Sequence, residues 1–151
     1  MKIISHRGNV EGSAFAENSI EAIDNAIEHG FDVEIDVWVG PEGQIYLGHD
    51  SPSCFLKDGL HEFGKGERLW LHCKNVEALQ MLRHVFNSFW HDRDRYCLTS
   101  GGYIWCYPGQ PVPLAGIAVL PETIKNIDTD SLKNCYAVCT DRPIEWRKKL
   151  S

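Results

Sequence analysis

Phe31-Asp32-Val33-Glu34-Ile35-Asp36-Val37-Trp38-Val39 alternates apolar and polar positions without a break until Trp38. A period of two is the mark of a β-strand, so this segment is expected to be one, with Glu34 and Asp36 on the same face. Two carboxylates so close repel each other unless a cation lies between them. Oxygen donors of this kind suit Mg²⁺ or Ca²⁺.

Upstream, residues 2–5 form a short apolar run that ends at His6-Arg7-Gly8, a strand feeding a loop. Asn18-Ser19 offers an N-cap to a helix whose apolar positions are Ile20, Ala22, Ile23, Ala26 and Ile27, with Gly30 closing it. Downstream, Pro41-Glu42-Gly43 is a turn, and residues 44–48 are a second short strand delivering His49-Asp50. Residues 51–68 have the Gly, Pro and charge content of a loop. Residues 69–74 are again a strand, and Asn75 caps a helix running to about Phe86. Two strand pieces separated by Gly101-Gly102 are expected within 96–107, and buried strands at 115–120 and 135–140. A final helix follows Pro143. Strands alternating with helices imply a largely parallel sheet with right-handed crossovers.

The chain has 151 residues, 43% of them hydrophobic and 24% charged, which fits one globular domain over 1–151. A net charge of −6 argues against a nucleic-acid partner. The basic group Arg142, Arg147, Lys148 and Lys149 is read as the cationic last turn of the final helix. Apolar runs are only strand-sized, so no membrane span is expected, and Met1 to Arg7 does not read as a secretory leader. A cytoplasmic location follows as an expectation. Six cysteines lack C-x-x-C or zinc-ligand spacing and are read as free, buried thiols.

His6, Glu34, Asp36 and His49 each stand at or beside the end of an expected strand, where α/β enzymes gather their chemistry. Two imidazoles beside a bound cation suit general base and general acid catalysis of ester cleavage near neutral pH. Taken singly, each has a plainer reading: a solvated E-x-D face, a structural histidine, a His-Asp turn. The combination carries the argument.

In order and spacing, His6-Arg7-Gly8, Glu17-Asn18-Ser19, Gly30 to Val37 and Gly48-His49-Asp50 resemble the glycerophosphodiester phosphodiesterase family, within the PLC-like phosphodiesterases. Thr140-Asp141-Arg142-Pro143 is similar to the T-D-x-P that follows the last strand in that family. The resemblance is dense over residues 3–50, weak through the middle, and returns at 136–150. It implies a (β/α) barrel of the TIM type; a full one needs at least about 200 residues, so a shortened or incomplete barrel is expected. It also implies a phosphoric diester hydrolase acting on a small phosphodiester. His6 and His49 would be the acid/base pair, Glu34 and Asp36 metal ligands, and Arg7 a phosphate contact. Glu17 and Asn18 would brace the loop and cap the first helix. The family carries E-x-K on its third strand, whereas here His72-Cys73-Lys74 stands there. Lys74 keeps the anion-site lysine, or else pairs with Glu34 or Asp36. His72 either joins the metal, which would favour Mn²⁺ or Zn²⁺, or contacts substrate. A lyase stopping at a cyclic phosphate, and a binding module without turnover, are the alternative functions. His91, Asp92, Asp94, Tyr103, Trp105 and Tyr107 have no counterpart in the family. The aromatic residues read as a pocket wall, or as core and interface residues at an open barrel edge, where self-association would cover exposed strands.

Overall fold

The structure, a computed structural model, describes residues 1–14, 16–63 and 66–151. The loop expected over 51–68 is therefore followed only on either side of residues 64 and 65, which lie outside the described residues.

Among the described residues, ten strands form one mixed sheet, accompanied by three α-helices. The strands are β1 (Lys2–His6), β2 (Asp32–Val39), β3 (Ile45–Leu47), β4 (Cys54–Leu56), β5 (Leu69–Cys73), β6 (Asn87–Phe89), β7 (Tyr96–Leu98), β8 (Ile104–Cys106), β9 (Gly116–Val119) and β10 (Ala137–Thr140). The helices are α1 (Ile20–Glu28), α2 (Val76–Leu82) and α3 (Pro143–Lys149). Seven strands run parallel in the order β6-β5-β2-β1-β10-β9-β8. The β3–β4 hairpin continues β2 in antiparallel fashion, and β7 pairs antiparallel with β8.

Both faces of the parallel strands are covered, which explains their apolar character. On one face Val33, Ile35, Leu69 and Leu71 pack with Ile23 and Ala26 of α1 and with Ala78 and Leu82 of α2. Ala118 and Val138 continue that face beneath Trp146 of α3. The opposite face holds Ile4, Trp70, Phe89, Trp105, Ile117, Val119, Ala137 and Cys139. The sheet curls around this second cluster until β6 meets β8: the Phe89 and Trp105 rings stack with centroids 4.2 Å apart. Ser100 helps to bridge the gap, its backbone N–H donating to the Ser88 carbonyl at 2.8 Å and its hydroxyl accepting from the Ser88 N–H at 2.9 Å.

Local signals account for most elements. Ser19 caps α1, its hydroxyl accepting from the Ala22 N–H, and Gly30 leaves the helix with φ of 86°. Asn18 does not share in that cap; its side chain is used elsewhere. Asn75 caps α2, which stops at Leu82 and not near Phe86. Val85 and Phe86 are poor helix formers, and the chain turns there into β6, a strand too short to show a period in the sequence. The segment expected to be loop contains β4, which reads as strand only because the β3 edge is there to pair with it. In α3 the last turn holds Arg147, Lys148 and Lys149, whereas Arg142 occupies the N-cap position. All six cysteines are free, four of them buried. No helix among the described residues is long and apolar enough to cross a membrane.

Candidate functional site

In parallel strands, residues paired in register point to the same side. His6 is paired with Glu34, and Asp36 with His72. Glu34 and Asp36 share a face by their spacing of two, so all four side chains face one another on the inner side of the sheet. Phe89, paired with His72, extends the row and stacks on its ring at 5.1 Å. The strand ends complete the rim: Arg7 after β1, Lys74 after β5, His91 after β6, Tyr107 after β8, Leu120 after β9 and Asp141 after β10. A cavity of about 370 Å³ opens among them, lined by His6, Arg7, Glu34, His49, His72, Lys74 and His91, with Trp105, Tyr107 and Leu120 as its apolar wall.

The site is dense in charge. His6 Nδ1 lies 2.8 Å from Asp141 Oδ1, and its Nε2 is 3.9 Å from Glu34 Oε2. Burial acts to hold the Asp141 carboxyl up, but the His6 hydrogen bond and charge, the Asn9 amide and the Arg7 guanidinium together outweigh it and leave the group below the usual carboxylate range. Asp141 is thus an acceptor, and Nδ1 of His6 carries the shared proton. Nε2 is then the free nitrogen facing the cavity. Burial acts to lower the His6 pKa; the Asp141 hydrogen bond and the field of Glu34 outweigh it and raise the value above 6.5.

Asp36 is fully buried and Glu34 nearly so, yet the two carboxyls move in opposite directions. Burial resists ionisation of Asp36, but His72, the Arg7 guanidinium and the Asn18 amide more than compensate and hold it well below the usual range. Asn18 grips it twice, Nδ2 donating to Oδ2 at 2.9 Å and Oδ1 accepting from the Asp36 N–H at 3.0 Å. Burial and the neighbouring Asp36 charge push Glu34 up.

Arg7 has φ of 54° at the end of β1, a left-handed turn that brings its guanidinium back over the strands. Nη1 donates to Glu17 Oε1 at 2.8 Å, and Nε sits 3.0 Å from Asp36 Oδ2 without the alignment of a hydrogen bond. Nη2 has no partner among the described residues. Lys74 Nζ is 3.5 Å from Asp36 Oδ1, so the pairing foreseen as the plain reading of Lys74 is present. His72 Nε2 faces the His91 carbonyl at 3.3 Å, an acceptor only, so Nε2 carries a proton. Its Nδ1 is 3.0 Å from Asp36 Oδ1 and 4.0 Å from Glu34 Oε1. One ligand atom each from Glu34, Asp36 and His72 lie within 4.8 Å of one another.

His49 stands apart from this cluster. Its side chain is 43% exposed at the cavity rim, with Nδ1 2.8 Å from Asp50 Oδ1. Gly48, with φ of 145°, makes the bend that presents it; a Cβ there would lie 2.1 Å from the Ser51 carbonyl oxygen. Gly48→Ala is therefore expected to lower stability by about 1–3 kcal/mol and to turn His49 away from the rim. Urea unfolding checks the first effect, and the His49 imidazole NMR shifts the second.

Asp141 and His91 were not assigned roles by sequence reasoning. Asp141 lies in the segment singled out for its likeness to the family's T-D-x-P after the last strand, but no local pattern shows that it meets His6. His91 stacks on His72 at 4.5 Å and 7°; burial, His72 and Lys74 depress its pKa to about 4. Of the unassigned aromatics, Trp105 is both core and cavity wall, Tyr103 packs in the core against Tyr136 at 4.0 Å, and Tyr107 is an exposed wall residue. No protein-family description, curated protein or solved structure matches this chain.

Proposed function

We propose that the chain is a metal-assisted phosphodiesterase, a shortened (β/α) barrel of the glycerophosphodiester phosphodiesterase type acting on a small phosphodiester. The carrying observation is the convergence of His6, Glu34, His72, Arg7 and Lys74 on one cavity at the carboxyl ends of parallel strands, with the buried Asp36 in contact with Arg7, His72 and Lys74. The barrel reading is supported by seven parallel strands that curl until Phe89 stacks on Trp105. In place of the missing crossover helices stand the hairpins and short 3₁₀ turns at Pro121–Thr123 and Thr129–Leu132.

Whether a divalent ion suits the cluster can be judged from Asp36 Oδ1, which is buried and accepts no hydrogen bond. With the His72 proton on Nε2, a neutral ring turns its Nδ1 lone pair toward that oxygen, an arrangement that calls for a cation between them or a second proton on the ring. Glu34, Asp36 and His72 therefore fit a metal. The imidazole donor brings Mn²⁺ or Zn²⁺ into consideration beside Mg²⁺ and Ca²⁺. When bound, the ion would draw charge from the phosphoryl oxygens. Arg7 Nη2 and the Lys74 ammonium would hold the remaining phosphate oxygens. His6 Nε2, kept bare by Asp141, would accept the proton of the attacking hydroxyl or water. His49 at the rim would return a proton to the leaving alkoxide.

Arg7 and Lys74 already offset the charge of Asp36, and this favours a second reading, a phosphate-ester binding module without turnover. A turnover assay on a panel of phosphodiesters, with and without chelator, separates the two. The enzyme reading expects chelator-sensitive cleavage, and losses of at least about a hundredfold in His6→Ala and in His49→Ala. An unchanged rate in either variant removes that residue from the mechanism. Phosphate-ester binding by calorimetry with no turnover of any diester supports the module. Phosphorus NMR of the product tells a hydrolase from a lyase that stops at a cyclic phosphate.

A further inference from the structure

Behind the His6–Asp141 pair stands a second carboxylate, Glu122, with no part in the cavity. It sits on the 3₁₀ turn Pro121–Thr123 that follows β9. The chain reaches that turn through Leu120, a non-glycine residue at φ 46° and ψ 51°, a left-handed conformation that is strained for a residue with a side chain. This reversal swings Glu122 across the end of β10. There Oε1 accepts two hydrogen bonds at 2.8 Å, from the Thr140 hydroxyl and from the backbone N–H of Asp141. The Thr140 hydroxyl in turn accepts from the Arg142 N–H at 3.0 Å. One carboxylate oxygen thus holds the Asp141 backbone directly and, through the Thr140 hydroxyl, the Arg142 N–H. The other oxygen, Oε2, is buried and has no donor among the described residues. A strained turn and an unsatisfied carboxylate oxygen are both unfavourable, and both serve the placement of Oε1.

The remaining holds on Asp141 show what that placement fixes. Its carbonyl accepts from the Gly12 N–H at 2.8 Å, and its Oδ1 accepts from Asn9 Nδ2 and from His6 Nδ1, each at 2.8 Å. Gly12 and Asn9 belong to the loop after β1, on the His6 side. Among the described residues Glu122 is the one hold on Asp141 from the segment that follows β9.

We propose that Glu122 is a positioning residue: by clamping the Asp141 backbone it sets the carboxylate that keeps the His6 proton on Nδ1 and leaves Nε2 open to the cavity. Its importance for turnover rests on the reading of His6 as the proton acceptor, but its effect on His6 is observable with no substrate at all. Glu122→Met fills the same volume without an acceptor, and Glu122→Gln restores an acceptor oxygen. Long-range ¹H–¹⁵N NMR of the metal-free chain reads the His6 tautomer at a pH where the ring is neutral, with His6→Gln assigning the signal. The Nδ1–H form is expected to dominate in the parent and in Glu122→Gln, and to fall to half or less in Glu122→Met, with the Nε2–H form appearing. Near-UV circular dichroism of the tryptophans reports whether each variant is folded. A folded Glu122→Met with the parent tautomer overturns the proposal. So does Glu122→Gln behaving like Glu122→Met, or Glu122→Met failing to fold, since the residue would then hold the fold in general. If the parent turns over no phosphodiester, the enzyme reading fails while the tautomer result stands.

Discussion

Asp36→Ala is expected to destabilise the metal-free protein by about 3–5 kcal/mol, and Glu34→Gln by less than about 1 kcal/mol. The two carboxyls are two residues apart on one face of β2 and equally hidden from water, so burial alone predicts equal costs. Their surroundings do not. Asp36 lies within 3.5 Å of Arg7 Nε, His72 Nδ1 and Lys74 Nζ and is gripped by Asn18. Removing it leaves two cations facing each other in a space with little access to water, and this is what makes a broken buried pair costly. Among the described residues Glu34 is held by one hydrogen bond, from the Arg7 N–H at 3.2 Å, and by two more distant imidazoles, His6 at 3.9 Å and His72 at 4.0 Å. Burial and Asp36 already raise its pKa toward the neutral form, and a glutamine oxygen can accept the same N–H. Urea unfolding in the presence of chelator, with unchanged m-values, measures both. Similar losses in the two variants would mean that Asp36 is not the charge centre of the cluster.

The contrast also shows what could and could not be read from the chain. Alternation over residues 31–39 was enough to place Glu34 and Asp36 side by side, because the period of a strand is a local property. The capping serine and closing glycine of α1 were local too. Which strand lies beside which is not. That His6 faces Glu34 and Asp36 faces His72 depends on the parallel register of β1, β2 and β5. Asp141 reaches His6 across 135 positions of sequence, and although each lies in a recognisable motif, neither motif announces that the two meet. Asn18 looked like a cap because Asn commonly caps helices; it was Ser19 that did so, leaving Asn18 to hold Asp36. The strands β4 and β6 were overlooked for a related reason. Three residues cannot show a period, and only the pairing edges of β3 and β5 make them strands. His72 was legible as a polar residue at the end of a strand, but its tautomer came only with the His91 carbonyl.

On the proposed phosphodiesterase reading, Asp141→Ala is expected to lower turnover by about a hundredfold or more, close to the loss in His6→Ala. Asp141→Asn is expected to lose only about tenfold. The asparagine oxygen can take the place of Oδ1, still accepting from Asn9 Nδ2 and from His6 Nδ1, so orientation and tautomer survive while the charge does not. Alanine removes both, and the ring is free to carry its proton on Nε2, where it cannot act as a base. The pH profile separates the two contributions. Asp141 and Glu34 hold the His6 pKa above 6.5 against burial, so in the parent the neutral, proton-accepting form grows in as pH rises through a value higher than 6.5. With asparagine the largest raising influence is weakened and burial gains weight, so the acid limb should move to lower pH even as the maximum rate falls. If Asp141 works through His6 alone, the double variant His6→Ala/Asp141→Ala should be no slower than His6→Ala, because the two losses are then one loss counted from two ends. Multiplying effects in the double variant, or an acid limb that stays in place in Asp141→Asn, would show that Asp141 acts on something other than the His6 ring.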